Sequence, residues 1–248
     1  MISILLAAGE SRRFQKESGT HKLSVRIRGI PLICYPITSL SLAGIKEVII
    51  ITSYTTEPLV RESIIQCPYM SGFSYIKIDT NKEVWRDNGY TMLLGIKDVV
   101  PSSLFIVSMS DHLYPVDIPI KLKGLDNPCI GADSNPRFID VLEATKIHVK
   151  RGGIILGKNL EEYMYVDVGV HLLGTNISYT PCTNKYVLKM SELLSCIYNE
   201  YFQIIDFRGI AWMDIDTLRD YINAVSGPAK RVVDMVISGW EMMGIKIN

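Results

Sequence analysis

Short apolar runs alternate with stretches of helical spacing through the first half of the chain. Residues 2–7, 47–52, 74–78 and 104–109 read as strands, and the last is so continuously apolar that it belongs in the middle of a sheet with both faces covered. Between them, residues 32–43, 57–65 and 90–98 carry helical spacing. Such alternation predicts right-handed crossovers and a parallel, doubly wound sheet. After Cys129 the rhythm changes. Residues 130–132, 144–149, 153–157 and 166–173 look like strands without long helices between them, and Gly152-Gly153 reads as a hairpin turn. The next helices are expected at 185–198, from Thr217 to about Val225, and at 229–243, with Gly227-Pro228 as the break before the last. The fold expected is therefore α/β, a doubly wound, mixed and mostly parallel Rossmann-like sheet with a small lobe built by the second half. Residues 1–225 form the main domain and residues 226–248 a C-terminal helical extension.

Composition agrees with a folded domain and narrows its partners. The 248 residues are 48% hydrophobic and 21% charged, enough to bury a large core. Lys plus Arg and Asp plus Glu are both 26, so no long-range attraction to nucleic acid or anionic lipid is expected, and an anionic ligand must be held by local groups. Residues 2–8 lack a basic flank and run into Gly9-Glu10-Ser11-Arg12-Arg13, which excludes a signal peptide or membrane span there. Cys34, Cys67, Cys129, Cys182 and Cys196 show no zinc-ligand spacing and read as reduced core thiols of a cytoplasmic protein.

Chemistry concentrates at a few strand ends. The loop Leu6-Ala7-Ala8-Gly9-Glu10-Ser11-Arg12-Arg13-Phe14 follows the first strand, where small residues let backbone N–H groups approach a triphosphate, with Arg13 and Lys22 to neutralise it. The loop is neither GxGxxG nor GxxxxGK[ST], which argues against hydride-transfer dinucleotide folds and P-loop kinases. Asp111 stands just beyond the strand 104–109, at the carboxyl end where open α/β sheets bind ligands. Asp214 and Asp216 alternate on an extended segment and so face one way, a donor set that suits a hard cation such as Mg²⁺. The opposing reading makes Asp216 a cap of the next helix and leaves Asp214 solvated; with Thr217 as cap the two readings coexist. His112 is expected to play a structural or substrate-contact part rather than that of a general base. In 137–146, Glu143 and Lys146 are placed to hold an acceptor's hydroxyls and phosphate, whereas Arg137 and Asp140 read equally well as a surface ion pair. Asn88 is placed to cap the helix after Trp85-Arg86-Asp87, with the Gly89 backbone close to a flat ligand.

Together these residues resemble the nucleotidyltransferase superfamily acting on sugar and alditol phosphates, whose loop reads LxAGxGxR followed by a Lys. The chain is more closely similar to CTP:inositol-1-phosphate cytidylyltransferases, through Trp85-Arg86-Asp87-Asn88-Gly89-Tyr90, Asp111-His112-Leu113-Tyr114, Pro136-Arg137-Phe138-Ile139-Asp140, Glu143-Ala144-Thr145-Lys146 and Trp212-Met213-Asp214-Ile215-Asp216-Thr217. The resemblance spans residues 1–225 and implies a nucleotide-diphospho-sugar transferase fold with an acceptor-side lobe. It implies that Leu6, Ala7, Ala8, Gly9, Glu10, Arg13, Lys22, Asn88 and Gly89 bind CTP and that Arg13, Lys22 and Asp111 are catalytic. It further implies that Asp111, Asp214 and Asp216 hold Mg²⁺, while Glu143, Lys146 and Asp167 face inositol 1-phosphate. The expected product, CDP-inositol, would serve di-myo-inositol phosphate synthesis. Ser11 and Ser110 depart from the family pattern, each standing where Gly is common. Some relatives continue into a membrane-embedded domain; this chain stops at Asn248 with no spanning segment, so a separate membrane synthase would use the product. The last helix packs on the domain, pairs two protomers as a homodimer, or remains from a linker, with amphipathic packing as the default. The competing readings are a nucleotidyltransferase for another acceptor, such as a hexose 1-phosphate, phosphocholine or the molybdenum cofactor, and a silent nucleotide-binding module.

Overall fold

The computed structural model describes residues 1–198 and 202–247. In chain order the elements are β1 (Ile2–Ala7), α1 (Arg12–Ser18), β2 (Arg26–Ile27), β3 (Ile30–Pro31), α2 (Cys34–Leu42), β4 (Glu47–Thr52), α3 (Thr56–Ile64), β5 (Tyr75–Thr80), α4 (Asp87–Ile96), β6 (Leu104–Met109) and β7 (His112–Leu113). The second half adds α5 (Asp117–Lys123), β8 (Cys129–Asp133), β9 (Lys146–Lys150), β10 (Gly153–Gly157), β11 (Tyr165–Gly174), α6 (Met190–Ile197), β12 (Gln203–Asp206), β13 (Met213–Asp214), α7 (Leu218–Ser226) and α8 (Lys230–Met242).

Nine strands form one mixed sheet. Its first half is parallel in the order β6-β1-β4-β5, and β11 then joins β6 antiparallel, followed by the β9–β10 hairpin, while β8 pairs β11 and carries β12 in parallel. The reason for the unbroken apolar runs is visible in two cores. Leu5, Val48, Ile50 and Ile106 point to one face, under α2, α5 and α8, while Ile4, Ile49, Ile51, Phe105 and Val107 point to the other with Met92 of α4 and Leu193 of α6. The terminal helix belongs to the first core. Val232, Val233, Val236 and Ile237 are buried, and Trp240 packs on Tyr35 at 5.3 Å between centroids while its Nε1 donates to Ser39 Oγ at 3.1 Å.

Three sequence expectations change. The helix expected at 185–198 begins only at Met190, because the preceding residues bend and are tied to the start of α4 through Leu188, which bonds Arg86 O and Tyr90 N–H. The loop after β1 is half helical, with α1 beginning at Arg12. Four of the five cysteines are not reduced thiols: Cys34 is bonded to Cys67 and Cys182 to Cys196, leaving Cys129 as a free buried thiol. Zinc motifs are recognised from neighbouring positions, whereas these pairs are 33 and 14 residues apart and meet only once the helices pack. Among the described residues no helix is long and apolar enough to cross a membrane.

Candidate active site

The site is assembled by register. Leu6 of β1 lies beside Met109 of β6, so the loops after both strands leave the sheet side by side, and the Ser110 N–H donates to the Leu6 carbonyl at 3.2 Å. The distant segment around Asp214 is pinned beside them. β13 pairs antiparallel with β7, setting Asp214 opposite His112, and Ile215 N–H donates to Asp111 O at 3.0 Å.

The phosphate-type loop is held from behind by residues the sequence reading did not assign. Ser11 adopts the left-handed conformation at φ 55°, the geometry that glycine takes without cost. Its hydroxyl compensates by accepting the Lys22 backbone N–H at 3.0 Å. His21 is nearly buried; its Nδ1 accepts from Leu23 N–H at 3.1 Å, which makes Nε2 the donor to the Gly9 carbonyl at 3.0 Å. Burial keeps this imidazole below its usual pKa and therefore neutral, as that hydrogen-bond pattern requires. Ser110, by contrast, has no left-handed backbone and needs no glycine.

At the centre, the Lys22 ammonium bridges Asp111 and Asp216, at 2.9 Å from Asp216 Oδ1. Arg13 donates from Nη2 to Asp216 at 2.5 Å and from Nη1 to Glu143 at 2.8 Å. Burial is the largest single influence and favours the neutral carboxyls, yet the Lys22 charge and hydrogen bonds, joined by His112 at Asp111 and by Arg13 at Asp216, together outweigh it and hold both below the usual carboxylate range. Reciprocally, burial would lower the Lys22 pKa, but the two carboxylates raise it. Asp111 also accepts from His112 Nδ1 at 2.7 Å, and this bond and charge outweigh burial to raise the His112 pKa. Asp214 has no such cation. Burial pushes it up to about 6, with Asp216 and Asp111 adding to the effect against an opposing pull from His112. Asp216 is not the helix cap; Thr217 caps α7 in a reciprocal box with Asp220.

A cavity of about 760 Å³ lined by Arg13, Arg137, Glu143, Asp214 and Asp216 opens at this cluster, and two more meet it there. One, of about 410 Å³, is lined by Leu6, Ala8, Gly9, Glu10, Lys22 and Asn88. The other, of about 620 Å³, includes Asn88, Asp111, Glu143, Lys158, Asp167 and Asp214. Asp167 is aimed into it by a register shift in β11. Gly169 sits at φ 70° between Asp167 and His171, with its N–H bonded to Asp167 Oδ1 at 2.8 Å, and a Cβ there would lie 2.5 Å from the His112 ring.

Some expected residues lie off the cavities. Ala7 is buried at the strand end. Gly89 faces the chain rather than a ligand, since a Cβ there would stand 2.6 Å from the Leu188 carbonyl. Lys146 is buried and its Nζ donates to the Lys158 carbonyl at 2.7 Å, while the Lys158 and Lys189 side chains, missed in the sequence, border the 620 Å³ cavity. Arg137 and Asp140 form no ion pair with each other among the described residues; Asp140 instead closes a turn through Leu142 N–H at 3.0 Å.

Comparison with known proteins agrees with this geometry. Residues 3–74 match the MobA-like NTP transferase domain. The bifunctional IPC transferase and DIPP synthase of Thermococcus kodakarensis is 29% identical over 230 residues, covering 87% of this chain and 48% of that protein. The protein of the same description from Archaeoglobus fulgidus is 29% identical over 226 residues, covering 89% and 42%. The chain thus spans about half the length of the curated relatives it matches. The inositol-1-phosphate CTP transferase structure from T. maritima superposes with a TM-score of 0.80 at 21% identity, covering 95% of each chain, which establishes a shared fold.

Proposed function

Taking as premise that the chain is a nucleotidyltransferase built on the MobA-like NTP transferase domain, we propose that it transfers a cytidylyl group from CTP to inositol 1-phosphate, releasing pyrophosphate and forming CDP-inositol. The observation that carries this reading is the Lys22, Arg13, Asp111 and Asp216 cluster where the 410 Å³ and 620 Å³ cavities meet. One cavity begins at the backbone of Ala8 and Gly9; the other offers carboxylates and lysines, the groups that bind a phosphorylated polyol. The names of the curated relatives and of the T. maritima structure support the choice of base and acceptor.

In this mechanism the acceptor phosphate, already anionic, attacks the α-phosphorus in line, and the P–O bond to pyrophosphate breaks. No general base is required. Lys22 and Arg13 turn from their carboxylates to the triphosphate and neutralise the charge gathering on the leaving group. Lys158, with Lys189 beside it, holds the acceptor phosphate; Asp167, Glu143 and Asn159 accept or share its hydroxyl hydrogen bonds.

The residues fit Mg²⁺. Among the described residues no three acidic or imidazole groups converge on one point, but Mg²⁺ in such sites takes one or two carboxylates and completes its shell with phosphate oxygens and water. Asp111 and Asp216 already share one cation, and burial, with the neighbouring Asp216 and Asp111 charges, pushes the Asp214 pKa up. Bound there, Mg²⁺ would screen the triphosphate charge and orient it.

The test is pyrophosphate release with CTP, UTP, GTP and ATP, each paired with inositol 1-phosphate and with glucose 1-phosphate. Release confined to CTP with inositol 1-phosphate is expected. Release with another pair replaces the substrate, and silence throughout rejects the reading.

A further inference from the structure

An exposed indole, Trp85, stands at the cavity beside Gly9, stacked on Tyr186. Trp85 lies in the 3-10 turn Val84–Arg86 that leads into α4, is 45% exposed, and lines the 410 Å³ cavity opposite Gly9, Ser11 and Lys22. Leaving a large indole half in water forgoes much of the free energy its burial would contribute. One side of it is covered by Tyr186, stacked at 4.3 Å with planes 30° apart, and Tyr186 does not itself line the cavity.

Tyr186 is no loose flap. It belongs to residues 183–189, which lie against the start of α4: Arg86 Nε donates to the Tyr186 carbonyl at 3.2 Å, Leu188 N–H to Arg86 O at 2.9 Å and Tyr90 N–H to Leu188 O at 3.3 Å. Met190 N–H adds a bond to Asn88 Oδ1 at 2.7 Å, and the Cys182–Cys196 disulfide closes the segment upon itself. The Arg86 guanidinium, 3.7 Å above the Tyr90 ring and 5.8 Å from the Trp85 ring, fills the space beneath. The indole is thus fixed from behind by a braced segment while its remaining surface borders the cavity, whose other lining mixes polar groups and backbone with the apolar Leu6, Val84 and Met109.

We propose that Trp85, backed by Tyr186, is the stacking wall for the nucleobase of the triphosphate. Stacking uses the face every base shares, so this wall supplies affinity and orientation without choosing among bases, and choice falls to polar groups beside it such as the Asn88 side-chain amide, whose Oδ1 is already taken by Met190 N–H and whose NH₂ remains to donate. The inference rests on the nucleotidyltransferase reading but not on the identity of the acceptor.

The experiment compares the full chain with Trp85→Ala, Trp85→Phe and Tyr186→Ala, titrating CTP and UTP by intrinsic fluorescence and measuring KM for nucleotide and acceptor separately. Trp212 and Trp240 are buried, so the component of the signal that disappears in Trp85→Phe reports Trp85. Trp85→Ala should weaken both nucleotides in parallel by about tenfold or more, with acceptor KM and kcat nearly unchanged. Trp85→Phe should restore most of the affinity, Tyr186→Ala should fall between, and the wild-type protein should lose fluorescence on nucleotide binding in a way Trp85→Phe does not. Unchanged nucleotide affinity in Trp85→Ala, or an equal rise in both KM values as general loosening would give, overturns the wall. If the wild-type protein binds no nucleotide, the functional reading itself fails and the inference goes with it.

Discussion

Replacing Lys22 with Met keeps the length of the side chain and deletes only the ammonium that joins Asp111 to Asp216. Removing one partner of a buried ion pair costs about 3–5 kcal/mol when the remaining charge is stranded. Here neither carboxylate is stranded. Asp111 keeps His112 and Asp216 keeps Arg13, and both open to the cleft, with side chains 17% and 29% exposed. The expected loss is therefore nearer ~2 kcal/mol, read as a fall in urea midpoint at constant slope and in Tm by roughly 4–8 °C. The loss must depend on pH. Lys22 holds both carboxyls below their unfolded pKa, so its stabilisation is present above about pH 4 and fades as pH falls through the folded values; wild-type and variant curves should converge in acid. With the ammonium gone, Mg²⁺ alone should raise the variant's Tm more than the wild type's, because the point between the carboxylates is open. Turnover should drop about a hundredfold or more, through kcat. A variant equally stable at pH 7, with the same Mg²⁺ response and near-normal kcat, would refute the bridged arrangement and the role built on it.

Asp214 gives the opposite pH signature: its folded pKa of about 6 lies above the ordinary value of 3.8, so its contribution to stability falls as pH rises between them, and Asp214→Asn should remove that slope from denaturation curves measured at pH 4–7. Activity should decline below about pH 6 as Asp214 takes up its proton, and a profile without an acid limb there removes it from the cation site. Lys158→Ala should raise acceptor KM at least about tenfold with little change for CTP, whereas Lys146→Ala should act chiefly on stability; the reverse split would return the acceptor phosphate to Lys146. Cys34→Ser with Cys67→Ser should lower stability by about 3–4 kcal/mol for a closed loop of this size, and with reductant present in both samples, which also opens Cys182–Cys196, wild type and variant should converge; equal curves without reductant exclude the disulfide.

Much of the fold was legible because its signals are local. The runs in β1, β4 and β6 are apolar on both faces, and only a doubly covered strand permits that, so the parallel half followed from pattern alone. What stayed hidden depends on partners far along the chain. α1 has no side-chain cap and starts from the left-handed Ser11, so its sequence reads as a loop. α5 carries Pro119 in its first turn, where a missing N–H costs little but the residue looks like a breaker. Residues 185–189 have helical spacing and yet form no helix, because Leu188 bonds instead to Arg86, just before α4, and to Tyr90 in its first turn. In the site, Asp111, Asp214 and Asp216 were singled out from a strand end and from alternation, and Lys22 as a cation following the loop; the structure pairs Lys22 with Asp111 and Asp216. His21 and Lys158 were not singled out, since a lone histidine and a lysine after a short edge strand carry no pattern until register brings them to Gly9 and to the 620 Å³ cavity.

The central claim is that one cleft joins a nucleoside triphosphate to a phosphorylated alcohol through the acceptor's own phosphate oxygen. The direct measurement is mass analysis of products formed from CTP and inositol 1-phosphate whose non-bridging phosphate oxygens carry a heavy isotope. The account predicts CDP-inositol with every heavy oxygen retained, one of them in the diphosphate bridge, and unlabelled pyrophosphate. Label in the pyrophosphate, or CTP consumed to CMP with the acceptor untouched, would contradict it.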